Sequence, residues 1–264
     1  MDHAASRWDR TSRSLCAEAV DTLEHVQLAG WTEVAGARRS RDLTRVLERN
    51  GWELLQGGPG PMGETALAAD GSVWLVVSWR SYEIGPDLGP GDIVVCTVAV
   101  VRHLLTGETG IITDAHLPAS VEAAWGSDRA RQYRLAVQRY RSIVTDWTAK
   151  HRPDFVVVWA DWNLDVHKAW VRAYLREAWP ELQLPAIPDE KGTHGGSGRW
   201  IDFCLVAGLL EPQLVALPYT EASDHRKVRL RGRLLTRAQR RRRRRRARRA
   251  RRRARRRARR KARR

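Results

Sequence analysis

The stretch FVVVWADWNLD, residues 155–165, runs five apolar residues and an alanine straight into Asp161, Trp162 and Asn163. Two polar side chains able to help hold a metal ion thus stand one residue apart at the end of an apolar run. Asp and Asn are also favoured turn residues, so taken alone the stretch reads first as a core strand followed by an ordinary turn. The pattern recurs, however, with Glu33 in GWTEV, His116 in TDAHLP, Asp202 in RWIDF and Asp224-His225 in SDH, each at or near an apolar run. A lone Glu after a strand is usually solvated, and a lone His is usually structural. Asp202 is different, because Trp200, Ile201, Phe203, Cys204, Leu205 and Val206 surround it. A buried carboxylate is costly unless it meets a cation, a hydrogen-bond donor or a metal. On physical grounds alone Asp202 is the most informative residue, and it is expected to be buried and partnered.

These side chains need elements to position them. Residues 12–26 place Leu15, Ala19, Leu23 and Val26 at helical spacing. VQLAGWTEV reads as a short strand ending near Glu33, and residues 40–50 as an amphipathic helix stopped by Asn50-Gly51. GGPGPMG (57–63) is a loop, and SVWLVVSW (72–79) is expected to be a buried strand. Residues 92–104 and 109–117 form a hairpin around Thr106-Gly107-Glu108. Residues 128–150 form a long helix with Tyr133, Val137, Tyr140, Val144 and Trp147 on one face, ended by His151-Arg152-Pro153. FVVVWA is the next strand, residues 167–179 the next helix, and the Gly-rich loop GTHGGSG (192–198) leads into a strand over 199–208. KVRLRGRL (227–234) closes the series. Strands apolar throughout suggest sheets covered on both faces, so a layered α/β or α+β sandwich is the natural class.

Taken in order, WTEV, DAHLP, ADWN, RWIDF and SDH resemble the successive signatures of the endonuclease/exonuclease/phosphatase superfamily, over roughly residues 12–234. The resemblance implies a four-layered α/β sandwich: two mixed β-sheets packed face to face, with helices outside. It also implies a metal-dependent phosphodiesterase using Mg²⁺ or Mn²⁺, since hard oxygen ligands suit these ions. By resemblance Glu33 is the principal metal ligand, and Asp224 ligates a second metal or belongs to the metal's shell. Asp161 lies at the metal and orients or deprotonates the attacking water, while Asn163 donates to a phosphate oxygen and Trp162 points away. His225 binds the phosphate or acts as general acid or base, with Asp202 orienting its ring. His116 contacts a phosphate oxygen or assists the leaving group. Whether Asp161 or His225 takes the water's proton stays open. The sequence departs from the pattern at Thr32, in place of a glutamine, and at Ala160, in place of a glycine. It departs again at Ala4, where the first motif's metal-side asparagine falls.

Charge divides the chain. Arg237–Arg264 carries 21 of the 48 Lys and Arg residues and no acid, leaving 27 against all 30 Asp and Glu in residues 1–236. The expected organisation is therefore a mildly acidic domain over 1–236 and a polycationic tail over 237–264. With no apolar residue larger than Ala, the tail cannot bury a core and is expected to be disordered on its own. It suits nucleic-acid backbone bound without sequence preference. The expected partner is DNA or RNA, held by the site face and the tail. A catalytically weakened nucleic-acid-binding protein, or a phosphatase of a small or lipid phosphoester, are the alternatives. Cys16, Cys96 and Cys204 show no disulfide or metal spacing, which fits a reducing compartment. No signal-peptide pattern and no run of about 18 apolar residues occurs. The chain is thus expected in the cytoplasm of a bacterial or phage-infected cell, or on nucleic acid, and not secreted.

Overall fold

The computed structural model describes residues 26–32, 37–57, 65–86, 93–188, 192–194, 197–216, 228–235 and 239. The expected helix over 12–26, most of the 57–63 loop and the Arg-rich tail lie outside the described residues, as do Glu33, Asp224 and His225.

Two sheets make the frame. The first joins β1 (Leu28–Trp31), β2 (Trp52–Gln56) and β3 (Ala66–Asp70) in the order β1-β3-β2, antiparallel throughout. Along β3 the side chains alternate, as the pleat requires. Ala66 and Ala68 pack outward with Trp52 against Leu43 and Leu47 of α1 (Ala37–Arg49), while Leu67 and Ala69 face inward with Leu55. Leu43 and Leu47 stand one turn apart, so a single stripe of α1 covers the sheet. The helix stops as its sequence suggests: Gly51 takes φ +75°, and its N–H donates to Glu48 O at 3.0 Å.

The second sheet has five strands in chain order: β4 (Trp74–Pro86), β5 (Ile93–His103), β6 (Thr109–Ala115), β7 (Phe155–Asp161) and β8 (Asp202–Ala207). β5 and β6 form the expected hairpin, with Gly107 at φ +69°. β6 and β7 run parallel, so the chain must cross over between them, and α2 (Asp128–His151) does so. Its Tyr133, Val137, Tyr140 and Val144 are buried against the sheet. Tyr140 donates its hydroxyl to Trp159 O at 2.8 Å, and Tyr133 to Trp162 O at 2.7 Å. Arg152 ends the helix in the left-handed region at φ 48°. α3 (Ala169–Ala178) follows β7, and β9 (Leu209–Ala216) pairs with β10 (Val228–Leu234). The result is helix, sheet, sheet, helix, the layered sandwich expected.

Three local expectations need correction. β4 is only partly buried: among the described residues it is an edge strand, and Leu75, Val77 and Trp79 are exposed at 48%, 42% and 37% while Trp74 and Ile84 are buried. Its composition is that of a central strand, but sheet position is not encoded in composition. β2 and β3 were not foreseen as strands, and alanine-rich ALAAD is a weak strand former. β9 was also missed, because Pro212 within it reads as a breaker yet is tolerated away from a sheet centre.

Candidate active site

The register brings the polar residues of three strands to one place. His116, just past β6, bridges in parallel to Asp161, the last residue of β7. Asp161 in turn stands opposite Asp202, the first residue of β8. Residues directly opposed in a sheet share a face, so His116, Asp161 and Asp202 project from the same side. Asp114 lies two residues before His116 and shares that side. A Cβ added at Gly30 of β1 would come within 3.2 Å of Asp114 Oδ2, so this is the side turned toward the first sheet.

Asp161 is the hub, only 4% exposed. Its Oδ1 accepts the Asn163 N–H at 3.0 Å, and its Oδ2 lies 3.6 Å from His116 Nε2. Its carbonyl accepts the Leu117 N–H at 3.0 Å. Asn163 takes φ +50°, a conformation that Asn tolerates better than most residues. That bend turns its amide so that Nδ2 donates to Leu117 O at 2.7 Å. Between them Trp162 goes the other way, as expected. It is fully buried, stacks on Phe203 with centroids 5.3 Å apart, and donates Nε1–H to Phe203 O at 2.9 Å.

Asp202 differs from expectation in one respect: it is half-buried. It opens β8 at the sheet's end, so its apolar neighbours Ile201 and Phe203 are buried while its own side chain reaches the rim. Whether it pairs with His225 falls outside the described residues. Thr193, fully buried, fixes the backbone here by accepting the Ile201 and Asp202 N–H groups, each at 3.0 Å. The nearby His194 accepts the Ser197 N–H at Nδ1, 3.2 Å away, and so latches its own loop.

The buried carboxylate that sequence reasoning missed is Asp114, 4% exposed. Burial pushes its pKa up to about 8. The Ala115 N–H and His116 pull it down, and Asp202 and Asp161 push it further up. The available signal was its position, one strand repeat before His116. A second missed group ties the loops around the site. Glu122 accepts the Asp165 N–H, the Lys168 ammonium at 2.6 Å and the Arg199 guanidinium at 3.3 Å. It thereby links the chain after His116, the chain after Asn163 and the entry to β8. Beside it a shallow depression of about 550 Å³ is lined by Glu122, Trp125, Trp170, Ala173, Tyr174 and Glu177.

Hard oxygen donors and an imidazole thus meet at converging strand ends, on the inner side of a two-sheet sandwich. No protein-family model matches the chain, and no curated protein does. Solved structures do. A mannosyl-6-phosphatase of Bacteroides thetaiotaomicron matches with TM-score 0.66 and 13% identity, over 88% of this chain and 95% of that one. Sphingomyelinase C of Streptomyces griseocarneus matches at 0.65 and 13%, over 84% and 92%. The human Nocturnin catalytic domain matches at 0.59 and 12%, over 85% and 87%. At such identities the likeness is one of fold.

Proposed function

We propose that the chain is a metal-dependent phosphoesterase acting on phosphodiester bonds of DNA or RNA. The observation that carries this reading is the convergence of His116, Asp161 and Asp202 on one sheet face, with Asn163 bent beside them. The donor chemistry fits a hard divalent ion such as Mg²⁺ or Mn²⁺, because the carboxylates of Asp161 and Asp202 stand opposite one another at the open end. Among the described residues no three such groups form a cage, so Glu33, and with it Asp224, would hold the ion with Asp161. When bound, the ion neutralises phosphate charge and stabilises the leaving oxygen.

The chain's own residues do the rest. Asp161, buried and already an acceptor, orients the water or takes its proton. Asn163 has one amide hydrogen committed to Leu117 and a second for a phosphate oxygen. His116, beside Asp161, binds a phosphate oxygen or serves the leaving group. His225, oriented by Asp202, is the other candidate for the proton. The preference for nucleic acid rests on the Arg-rich tail, and the aromatic depression beside Glu122 offers a flat group a place to stack.

The test is cleavage of plasmid DNA, RNA and a small phosphomonoester with Mg²⁺, Mn²⁺ or excess chelator. Metal-dependent nucleic-acid cleavage is expected, with Glu33→Gln slower by at least about two orders of magnitude. Cleavage undiminished by chelator overturns the metal assignment. Turnover of the monoester alone replaces the nuclease reading with a phosphatase.

A further inference from the structure

α3 carries more apolar surface than its packing on the core uses. Val171 and Leu175 are its buried stripe. Trp170, Ala173, Tyr174 and Glu177 follow the spacing i, i+3, i+4, i+7 and form a second face. That face meets Trp125, in the chain that follows His116. The Trp125 ring centroid lies 4.8 Å from that of Trp170 and 5.1 Å from that of Tyr174. The three rings line the shallow depression of about 550 Å³ beside Glu122. Trp170 remains 37% exposed, although a tryptophan ring is among the groups that gain most from burial. Ala173, small and exposed, lines the same depression, and Glu177, exposed on the same face, offers an acceptor to a base N–H.

Charge decides between the ligands that such rings could hold. At the Glu122 end, Lys168 and Arg199 bond the same carboxylate at 2.6 and 3.3 Å, so two cations meet one acid. Arg134 lies 5.2 Å over the Trp125 ring and donates to Trp125 O, so a cation already covers that aromatic face. A flat ring joined to an anion suits these surroundings, and a cationic ligand does not. The depression is also near the candidate site. Glu122 accepts the N–H of Asp165, two residues past Asn163. Two residues of chain span at most about 7 Å, about two steps of a stacked strand. We propose that the Trp125, Trp170 and Tyr174 depression is a subsite for an unpaired base of a single-stranded nucleic acid, with its phosphate toward Lys168 and Arg199. The inference rests on the nucleic-acid reading above and narrows its substrate to single strands. A base stacks on a protein ring only when it has left its own duplex.

The experiment measures binding of dye-labelled oligonucleotides to the full-length chain by fluorescence anisotropy. Excess chelator keeps cleavage out of the result. Salt above about 0.2 M weakens the phosphate contacts of the Arg-rich tail. The probes are a short single-stranded DNA, its duplex, and an abasic strand of the same length. The proteins are wild type, Trp170→Ala, Trp170→Phe and Ala173→Gln. Wild type is expected to prefer the single strand to both other probes. Trp170→Ala and Ala173→Gln should bind the single strand at least about fivefold more weakly, the lower end of what one stacked base contributes. They should bind the duplex and the abasic strand as wild type does, and Trp170→Phe should recover most of the loss. Ala173 is exposed, so its variant reports on the depression even where loss of Trp170 lowers the melting temperature. Wild-type affinity for the single strand in both variants overturns the proposal, and the nucleic-acid reading then stands without this subsite. An equal loss on all three probes also overturns it, because phosphate rather than base would be held there. Displacement of the single strand by choline, abolished in Glu177→Gln, would make the depression a cation site and overturn it. If wild type binds none of the probes, the nucleic-acid reading and the proposal fall together.

Discussion

Asp161 and Asn163 form a unit at the end of β7, and substitutions separate their parts. Asp161→Asn keeps the shape but removes the charge beside His116. It should lower turnover by at least about two orders of magnitude, the usual scale for a general acid–base group, with little change in melting. A large drop in melting temperature would instead make Asp161 structural. Asn163→Ala forces an unsuited residue into the left-handed region and removes the bond to Leu117 O. Together these are worth about 2–3 kcal/mol. Asn163→Gly relieves the first cost and should lose less in urea unfolding. Two other acids respond to pH in opposite ways. Burial works against the charge on Glu122, but Lys168, the Asp165 N–H and Arg199 outweigh it and hold its pKa below the ordinary value. Its contribution is fully present above the unfolded pKa and is lost as pH falls through the lowered one. Glu122→Gln should therefore remove part of the acid sensitivity and cost about 1–3 kcal/mol near neutrality. Asp114, pushed up to about 8, keeps in the folded state a proton that the unfolded chain has already lost. In chelator, stability should fall as pH rises from about 4 to about 8. Asp114→Asn should abolish that slope, and a slope unchanged in the variant would contradict it.

At the scale of elements, the site depends on how strands meet rather than on any strand alone. Gly110 of β6 lies opposite Phe155 of β7, and a Cβ on Gly110 would stand 2.0 Å from the Phe155 ring. Phe155 is 4% exposed and has little room to yield. Gly110→Ala should destabilise by about 1–3 kcal/mol through overpacking. Gly110 lies at the opposite end of β6 from His116, so turnover per folded molecule should be unchanged. A selective loss of turnover would mean that the β6–β7 register transmits strain to the site. The hairpin, the crossover helix and β7 were all legible, because apolar runs of the right length stood between clear turn signals. β2, β3 and the edge position of β4 were not. Short or alanine-rich strands carry little propensity, and an edge strand is defined by what fails to lie beside it.

For the whole molecule, charge is divided unevenly along the chain. Residues 1–236 are slightly acidic and the last 28 residues hold 21 cations, so binding to a polyanion should reside mainly in the tail. Deleting residues 237–264 should leave the melting temperature in place and weaken nucleic-acid binding. The full chain's affinity should fall steeply with salt, with a slope near 0.9 per duplex phosphate neutralised. Equal affinity and slope in the shortened chain would remove the tail from the binding surface. Among the described residues no helix is long and apolar enough to cross a membrane.

The sequence by itself determined the class of fold and named the candidate residues. Five short polar signatures at the ends of apolar runs identified Glu33, His116, Asp161, Asn163, Asp202, Asp224 and His225 as candidates. Their order along the chain implied the sandwich that the structure has. Tertiary structure decided which carboxylates are out of water. The sequence pointed to Asp202 as buried, because its neighbours in the chain are apolar. Yet burial depends on neighbours in space, and the first residue of β8 sits at the rim. Asp114 has a polar residue before it and an alanine after it, and its only local mark is its place two residues before His116. Only the packing of β1 across β6, with Gly30 against its carboxylate, places it in the interior beside the site.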